Sequence, residues 1–249
     1  MQPYDSPTEC HLFAGSGGGI LAGVLLGHRP VVAVETNPFC RDVLRQRQAD
    51  GILPDFPIHD DVRTFDGTPW RGKCEIVCGG FPCTDISEIK RNAEGIDGDA
   101  SGLWGEMARI VGEIRPRLVF VENSPMLVGR GLARVLGDLA RMGYDARWGC
   151  LGAEHVGAPH LRKRFWLVAN AQVRDGVDLP GEQGDVRCER QGCPQDAPAS
   201  TWWDTEPGLH RVVDGVAGGV VKRLKACGNG QVPGVAALAW KLLESWRKI

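Results

Sequence analysis

A chain of 249 residues, 43% hydrophobic and 24% charged, has the composition of a globular protein long enough to bury a full core. Its formal net charge of −2 excludes an all-over basic coat, so any contact with a polyanion must come from a local patch. No apolar run is long enough to cross a membrane. Nine cysteines without a secretory leader point to free thiols in a reducing, cytoplasmic setting.

Cys10 to Ala14 reads as the first strand, and Gly15-Ser16-Gly17-Gly18-Gly19 as the turn into a helix running to about Leu26. Strand, glycine turn and helix form a general entry for nucleotides, because glycines clear space at a helix N-terminus. A dinucleotide fingerprint asks for a third glycine three residues after the second, and Ile20 stands there, so a standard NAD site is not met. Val31 to Val34 is the second strand and ends in Glu35, a carboxylate suited to both hydroxyls of a ribose. Pro38 to Gln48 is helical, and Pro57 to Asp60 is a short third strand. Asp61-Val62 then reads either as an edge for an adenine amino group or as a turn with capping character.

Glu75 to Cys78 is a fourth, apolar strand that runs into Gly79-Gly80-Phe81-Pro82-Cys83. A lone cysteine is more often an inert buried thiol. Two glycines and a φ-fixing proline, however, are a scaffold that a core cysteine does not need, and they present Cys83 as a nucleophile. Glu88 to Ser101 is polar and dotted with glycine, and reads as a mobile lid. Gly102 to Arg115 carries helical periodicity, and Leu118 to Val121 is a strand bearing Glu122 at its tip, where a neighbouring strand end could bring it close to Cys83. Pro125 to Met142 reads as one amphipathic helix. Tyr144 to Leu151 and Phe165 to Ala169 are the last strands, with the basic stretch Arg162-Lys163-Arg164 between them.

From Ala171 to about Leu209 the chain is rich in glycine, proline, aspartate and glutamine and reads as an insertion. Its pair Trp202-Trp203 is either a small core or a platform for stacking on bases. Cys188 and Cys193 would make half of a zinc site, but no second half follows, so no metal is expected. Core character returns after His210, through Arg211 and Leu224 to Gly228-Asn229-Gly230-Gln231-Val232-Pro233, and a last helix runs from Gly234 to Trp246.

In this order the motifs resemble the DNA (cytosine-5)-methyltransferases over nearly the whole chain. Phe13-Ala14-Gly15-Ser16-Gly17-Gly18 is similar to that family's cofactor loop, Glu35 with Thr36 to its ribose-binding acid, and Asp61-Val62 to its adenine-edge pair. Gly80 with Pro82-Cys83 is similar to the nucleophile motif, Glu122-Asn123 to the acid motif, Arg162-Lys163-Arg164 to the paired arginines, and Gly228 to Pro233 to the closing motif. Thr84, Ser124 and His160 stand where the family usually has Gln, Val and Gln, and the variable region is short.

The resemblance implies an α/β fold: a doubly wound, mostly parallel seven-stranded sheet with one antiparallel strand, as in S-adenosylmethionine-dependent methyltransferases. Residues 1–170 would form the catalytic domain, completed by 228–249, and 171–227 a small, irregular target-recognition domain. S-adenosylmethionine would be the methyl donor and S-adenosylhomocysteine the product. Phe13, Ala14, Gly15, Ser16, Gly17, Gly18, Glu35, Thr36, Asp61, Val62, Gly80, Pro82 and Asn229 would lie at the cofactor. The implied activity is methyl transfer to carbon 5 of cytosine in double-stranded DNA, with Cys83 adding to carbon 6 and Glu122 bonding N3 and the amino group. Arg164 would meet O2, with Arg162 on the same region or on a phosphate. Arg162, Arg164, Lys222, Arg223 and Lys225 would contact DNA phosphates. A cytoplasmic monomer in a bacterium or phage-infected cell is expected, with a cognate restriction nuclease left open as a partner. Two other readings stay open: a transfer-RNA cytosine-5 methyltransferase, and a non-catalytic nucleic-acid-binding protein of the same fold.

Overall fold

The computed structural model describes residues 6–82, 102–171 and 218–244. Seven strands, β1 (Thr8–Leu12), β2 (Arg29–Val34), β3 (Ile58–His59), β4 (Ile76–Gly79), β5 (Leu118–Asn123), β6 (Tyr144–Leu151) and β7 (Arg164–Ala171), form one sheet in the order β3-β2-β1-β4-β5-β7-β6. All neighbours pair in parallel except β7, which runs antiparallel to both β5 and β6. The expected single antiparallel strand is therefore β7. Every residue of β1 and of β4 is buried, as a parallel sheet covered on both faces requires.

Alternation along the strands sends their side chains into two layers. Cys10, Leu12, Val77, Val119 and Val121 pack against α3 (Leu103–Ile114) and α5 (Leu132–Arg141), through Trp104, Met107, Ile110, Val135 and Leu139. On the opposite face Ile76, Cys78, Leu118, Phe120 and Trp166 meet α7 (Pro233–Glu244) through Val235, Ala236, Ala239, Trp240 and Leu243, with Ala22 of α1 (Gly18–Leu25) beside them. Ala33 of β2 packs with Ile20 of α1 and Leu44 of α2 (Pro38–Ala49). Each layer thus buries one face of the sheet, and burial of such apolar side chains contributes about 1.5–3 kcal/mol apiece.

Three expectations change. The helix expected over 125–142 is two, α4 (Leu127–Arg130) and α5, parted at Gly131 with φ −160° and ψ −8°. Glycine is the least favourable ordinary residue in a helix interior, so the break falls there. A helix not expected from the sequence, α6 (Gly218–Asn229), precedes the closing segment and runs across the expected domain limit at residue 227. The last helix starts at Pro233, whose fixed φ and missing N–H suit the first turn. Cys83, the expected lid at 88–101, Cys188, Cys193 and Trp202-Trp203 lie outside the described residues.

From β1 the chain winds outward to β3, then returns to β4 on the other side of β1. Strand order reverses between β1 and β4, and in an open sheet the crevice at the carboxyl ends of that pair is where ligands gather. Register delivers the named motifs to it. Leu12 lies opposite Val34 and Gly79, and Gly79 opposite Val121, so the glycine turn, Glu35, Gly80 and Glu122 all leave the sheet side by side.

Candidate active site

The turn after β1 is built from left-handed backbone: Phe13, Gly15 and Gly17 have φ of 55°, 54° and 89°. A Cβ on Gly17 would stand 2.8 Å from Leu44 Cδ2, so glycine is needed there for space as well as conformation. Gly15 N donates to Glu35 Oε2 at 2.6 Å, Asn37 N donates to Glu35 Oε1 at 2.7 Å, and Arg47 Nη1 donates to the Ser16 carbonyl at 2.7 Å. Buried Glu35 therefore clamps the turn to the start of α2, a task that its reading as a ribose acid did not include. Each of its oxygens keeps lone-pair capacity for a further donor.

The central cavity is lined by Phe13, Ala14, Gly15 and Gly18 from the turn, by Gly80 and Glu122, and by Asn229, Gly230 and Gln231 from the closing segment. Ser16, Gly17, Glu35, Thr36, Asp61, Val62 and Pro82 do not line it. Val62 is buried in the α3-side core, with its carbonyl accepting from Arg109 Nη2 at 2.9 Å. Asp61 accepts from Arg63 N at 2.9 Å. Thr36 is exposed, and its carbonyl accepts from Arg41 Nη1 at 2.7 Å.

Opposite the turn, the approach to Cys83 is anchored. Phe81 is buried against Trp104, ring centroids 5.4 Å apart, and its carbonyl accepts from Asn123 Nδ2 at 3.3 Å. Trp104 Nε1 in turn donates to Asp138 Oδ2 at 2.8 Å. Pro82 is exposed. At the end of β5, Glu122 has a side chain only 14% exposed and lies 3.1 Å from Arg164 Nε. Burial pushes its carboxyl up to about 7, although Arg164, Arg162 and a hydrogen bond from Gln231 all favour the anion. A carboxyl poised near neutrality can both hold and release a proton at the working pH.

Arg164 opens β7, next to Phe165, which pairs with Asn123, and this brings its guanidinium to the tip of β5. Arg162, expected at the ring or on a phosphate, stands near enough to Glu122 to favour its anion. With φ 33° it directs Nη2 to the carbonyls of Gly228 at 2.7 Å and Gly230 at 2.5 Å, and so fastens the closing segment. Lys222 and Arg223 are exposed on α6, and Lys225 belongs to the same helix.

Sequence reading missed a second polar group on the α7 side of β1. Glu9, 2% exposed, accepts from His11 Nε2 at 2.9 Å and His28 Nδ1 at 2.8 Å. Burial alone would raise its pKa, but the two imidazoles hold it at about 2. Cys78, paired in register with His11, has its thiol pushed up by burial and by Glu9. Gly23 leaves the space, since a Cβ there would stand 1.9 Å from Glu9 Oε2. The available signal was a pair of ionisable residues two apart, Glu9 and His11, in a strand that is buried throughout. Gln231 was also missed as a site residue, because the closing motif drew attention to Asn229.

The model for the C-5 cytosine-specific DNA methylase family matches residues 8–196. The chain is 32% identical over 163 residues to the Type II methyltransferase M.CviJI of Paramecium bursaria Chlorella virus IL3A, covering 64% of this chain and 41% of that one. It is 31% identical over 163 residues to the Type II methyltransferase M.MspI of Moraxella sp, covering 64% and 37%. The chain thus spans about two fifths of the length of these relatives. Among solved structures it is similar to a putative DNA modification methyltransferase of an Escherichia coli prophage, with a TM-score of 0.53 at 20% identity, covering 73% of this chain and 53% of that one. It is also similar to a variant of Spodoptera frugiperda DNMT2, with a TM-score of 0.54 at 17% identity, covering 72% and 57%. At such identities these neighbours speak for the fold alone: a doubly wound sheet of the kind found in S-adenosylmethionine-dependent methyltransferases. The matched span runs from β1 past β7 and takes in both strand tips of the crevice, so the chain belongs to the C-5 cytosine-specific DNA methylase family.

Proposed function

We propose that this protein transfers a methyl group from S-adenosylmethionine to carbon 5 of a cytosine in double-stranded DNA, through a transient bond between Cys83 and the ring. The observation that carries the reading is the largely desolvated Glu122, poised near neutrality and paired with Arg164 at the strand tip beside the loop that leads to Cys83. Carbon 5 of cytosine is a weak nucleophile. Addition of the Cys83 thiolate to carbon 6 places an electron pair at carbon 5, which then attacks an electrophilic methyl group. Glu122, holding its proton, donates to N3 as the sulfur adds, and Arg164 steadies the carboxyl and the developing charge near O2. Loss of the carbon-5 proton and return of the electron pair expel the Cys83 sulfur. A stacked base is out of reach of this crevice, so the cytosine must leave the duplex at a cost of roughly a few kcal/mol.

The residues present suit the methyl donor. Gly15 and Gly18 of the turn line the cavity, a Cβ on Gly15 would meet open space, and Glu35 stands behind the turn, with Asn229 on the facing segment. When bound there, S-adenosylmethionine would supply the sulfonium-activated methyl group. Thr36, Asp61, Val62 and Pro82 would meet its outer parts. Residues 171–227 would form the target-recognition part, and Lys222, Arg223 and Lys225 would meet phosphates. A cytoplasmic monomer fits this reading, and a partner nuclease would fit a restriction role. No helix among the described residues is long and apolar enough to cross a membrane.

The test is transfer of a labelled methyl group to duplex DNA and, in parallel, to transfer RNA. Label is expected at cytosine carbon 5 of the duplex, and a 5-fluorocytosine duplex should be captured covalently by the wild type but not by Cys83→Ser. Label in transfer RNA alone would move the substrate to RNA. No label and no adduct with any nucleic acid would favour a binding protein.

A further inference from the structure

Gln231, between α6 and α7, occupies a cradle made by three glycines, two in the first turn of α1 and one just after β4. A Cβ on Gly18 would stand 2.3 Å from the Gln231 carbonyl oxygen, one on Gly19 2.7 Å from Gln231 Oε1, and one on Gly80 3.2 Å from Gln231 Nε2. The same Gly80 position lies 2.7 Å from Glu122 Oε2. The side chain therefore spans the crevice, its oxygen toward the first turn of α1 and its nitrogen hydrogen-bonded to the Glu122 carboxyl. Arg162 holds the segment in place through the carbonyls of Gly228 and Gly230. An ionised carboxylate only accepts, whereas a protonated one also donates; a carboxamide serves either by rotating half a turn about its last bond.

We propose that Gln231 is a positioning residue that holds the Glu122 carboxyl and couples its proton to the seating of the closing segment on the glycine turn. The inference rests on the function proposed above, because it gives Glu122 its task. Among the described residues, the charged groups acting on Glu122 are Arg164 and Arg162. Both favour the anion, and Gln231 is the neutral partner that follows either state. Without the Nε2 donor the anion loses one charge-assisted bond, and the proton binds more tightly. With a carboxylate in its place, the proton binds more tightly still.

The test is infrared titration of the buried carboxyl in the full-length protein without any ligand, the band being assigned by its loss in Glu122→Gln. In Gln231→Leu the midpoint should rise by about one to two pH units, and in Gln231→Glu by more. The pH profile of methyl transfer should move in the same direction, while KM for the methyl donor moves less than kcat. An unmoved midpoint in both variants overturns the inference, and it does so even where methyl transfer proceeds. A raised midpoint in a protein that methylates no nucleic acid supports the inference and removes the proposed function instead. Retained thermal unfolding at wild-type temperature identifies the variants in which the comparison is made.

Discussion

Two glutamates, Glu9 fully buried and Glu122 nearly so, stand on strands that flank β4, and their environments drive them in opposite directions. Glu9 on β1 accepts from two imidazoles, one on each oxygen, and is held at about 2. Glu122 on β5 has an arginine on one side and an amide on the other, yet burial prevails and its carboxyl rises to about 7. The ordinary value for both is 4.5. Glu9 lines the same cavity as Glu122, but both of its oxygens are taken up by donors from its own strand and from the segment after α1. Glu122 sits at the carboxyl end of its strand, at the cavity, with partners that face a prospective ligand. The difference separates a carboxylate that holds the sheet to its helix layer from one that can exchange a proton during a reaction.

Breaking the open member should have the largest effect. Glu122→Gln removes the proton donor and should slow methyl transfer by about 10²–10⁴-fold at neutral pH, measured by single-turnover incorporation of label. Breaking the closed member should instead unfold the protein. Glu9→Ala leaves His11 and His28 without their acceptor and should cost about 3–5 kcal/mol in urea denaturation. If Glu9→Ala proves as stable as the wild type, the closed network is not what holds β1 to its neighbours.

The pH dependence of stability sharpens the contrast, because the two signs differ. Glu9 has a depressed folded pKa, so its contribution is present above 4.5 and is lost as pH falls toward about 2. Glu122 has a raised folded pKa, so between 4.5 and about 7 the folded state keeps a proton that the unfolded state has released. Stability therefore falls as pH rises through that window. Each shift of roughly 2.5 units corresponds to about 3 kcal/mol. From these two groups alone, stability should peak near pH 4.5, and Glu122→Gln should flatten the upper limb in urea titrations between pH 5 and 8 while leaving the lower limb in place. The smallest expected effect is at Arg162. Arg162→Lys removes the Nη2 that serves both Gly228 and Gly230 and puts a shorter side chain in its place, and should lower stability by about 1 kcal/mol, read as a shift in thermal midpoint. A protein that keeps its methyl-donor affinity after this change would show that the closing segment is seated by α7 alone.

Much of the frame was legible because it depends on local rules. Strand tips show as apolar runs ending in a polar residue, and the glycine turn shows because positive φ and close approach both need glycine. Those signals located β1, β2, β4 and β5 and the residues at their ends. Two boundaries failed for local reasons as well: apolar periodicity runs unbroken through Gly131, and the glycines and basic residues of α6 read as a surface patch. The Glu9 network escaped because its partners, His11 and His28, arrive from two segments that only packing brings together. Val62, expected at the adenine edge, is buried against the α3 side, and its carbonyl accepts from Arg109 Nη2, 47 positions along the chain.

The order of motifs along the chain was enough to determine the family, the sheet and the groups available for chemistry, since residue type and strand period are properties of short stretches. Which of those groups stand together was decided only by the tertiary structure. The reversal of strand order between β1 and β4, the desolvation of Glu122 and the reach of Arg162 and Gln231 from the far end of the chain are consequences of packing. Proton affinity follows from surroundings, and surroundings are not written in any single segment.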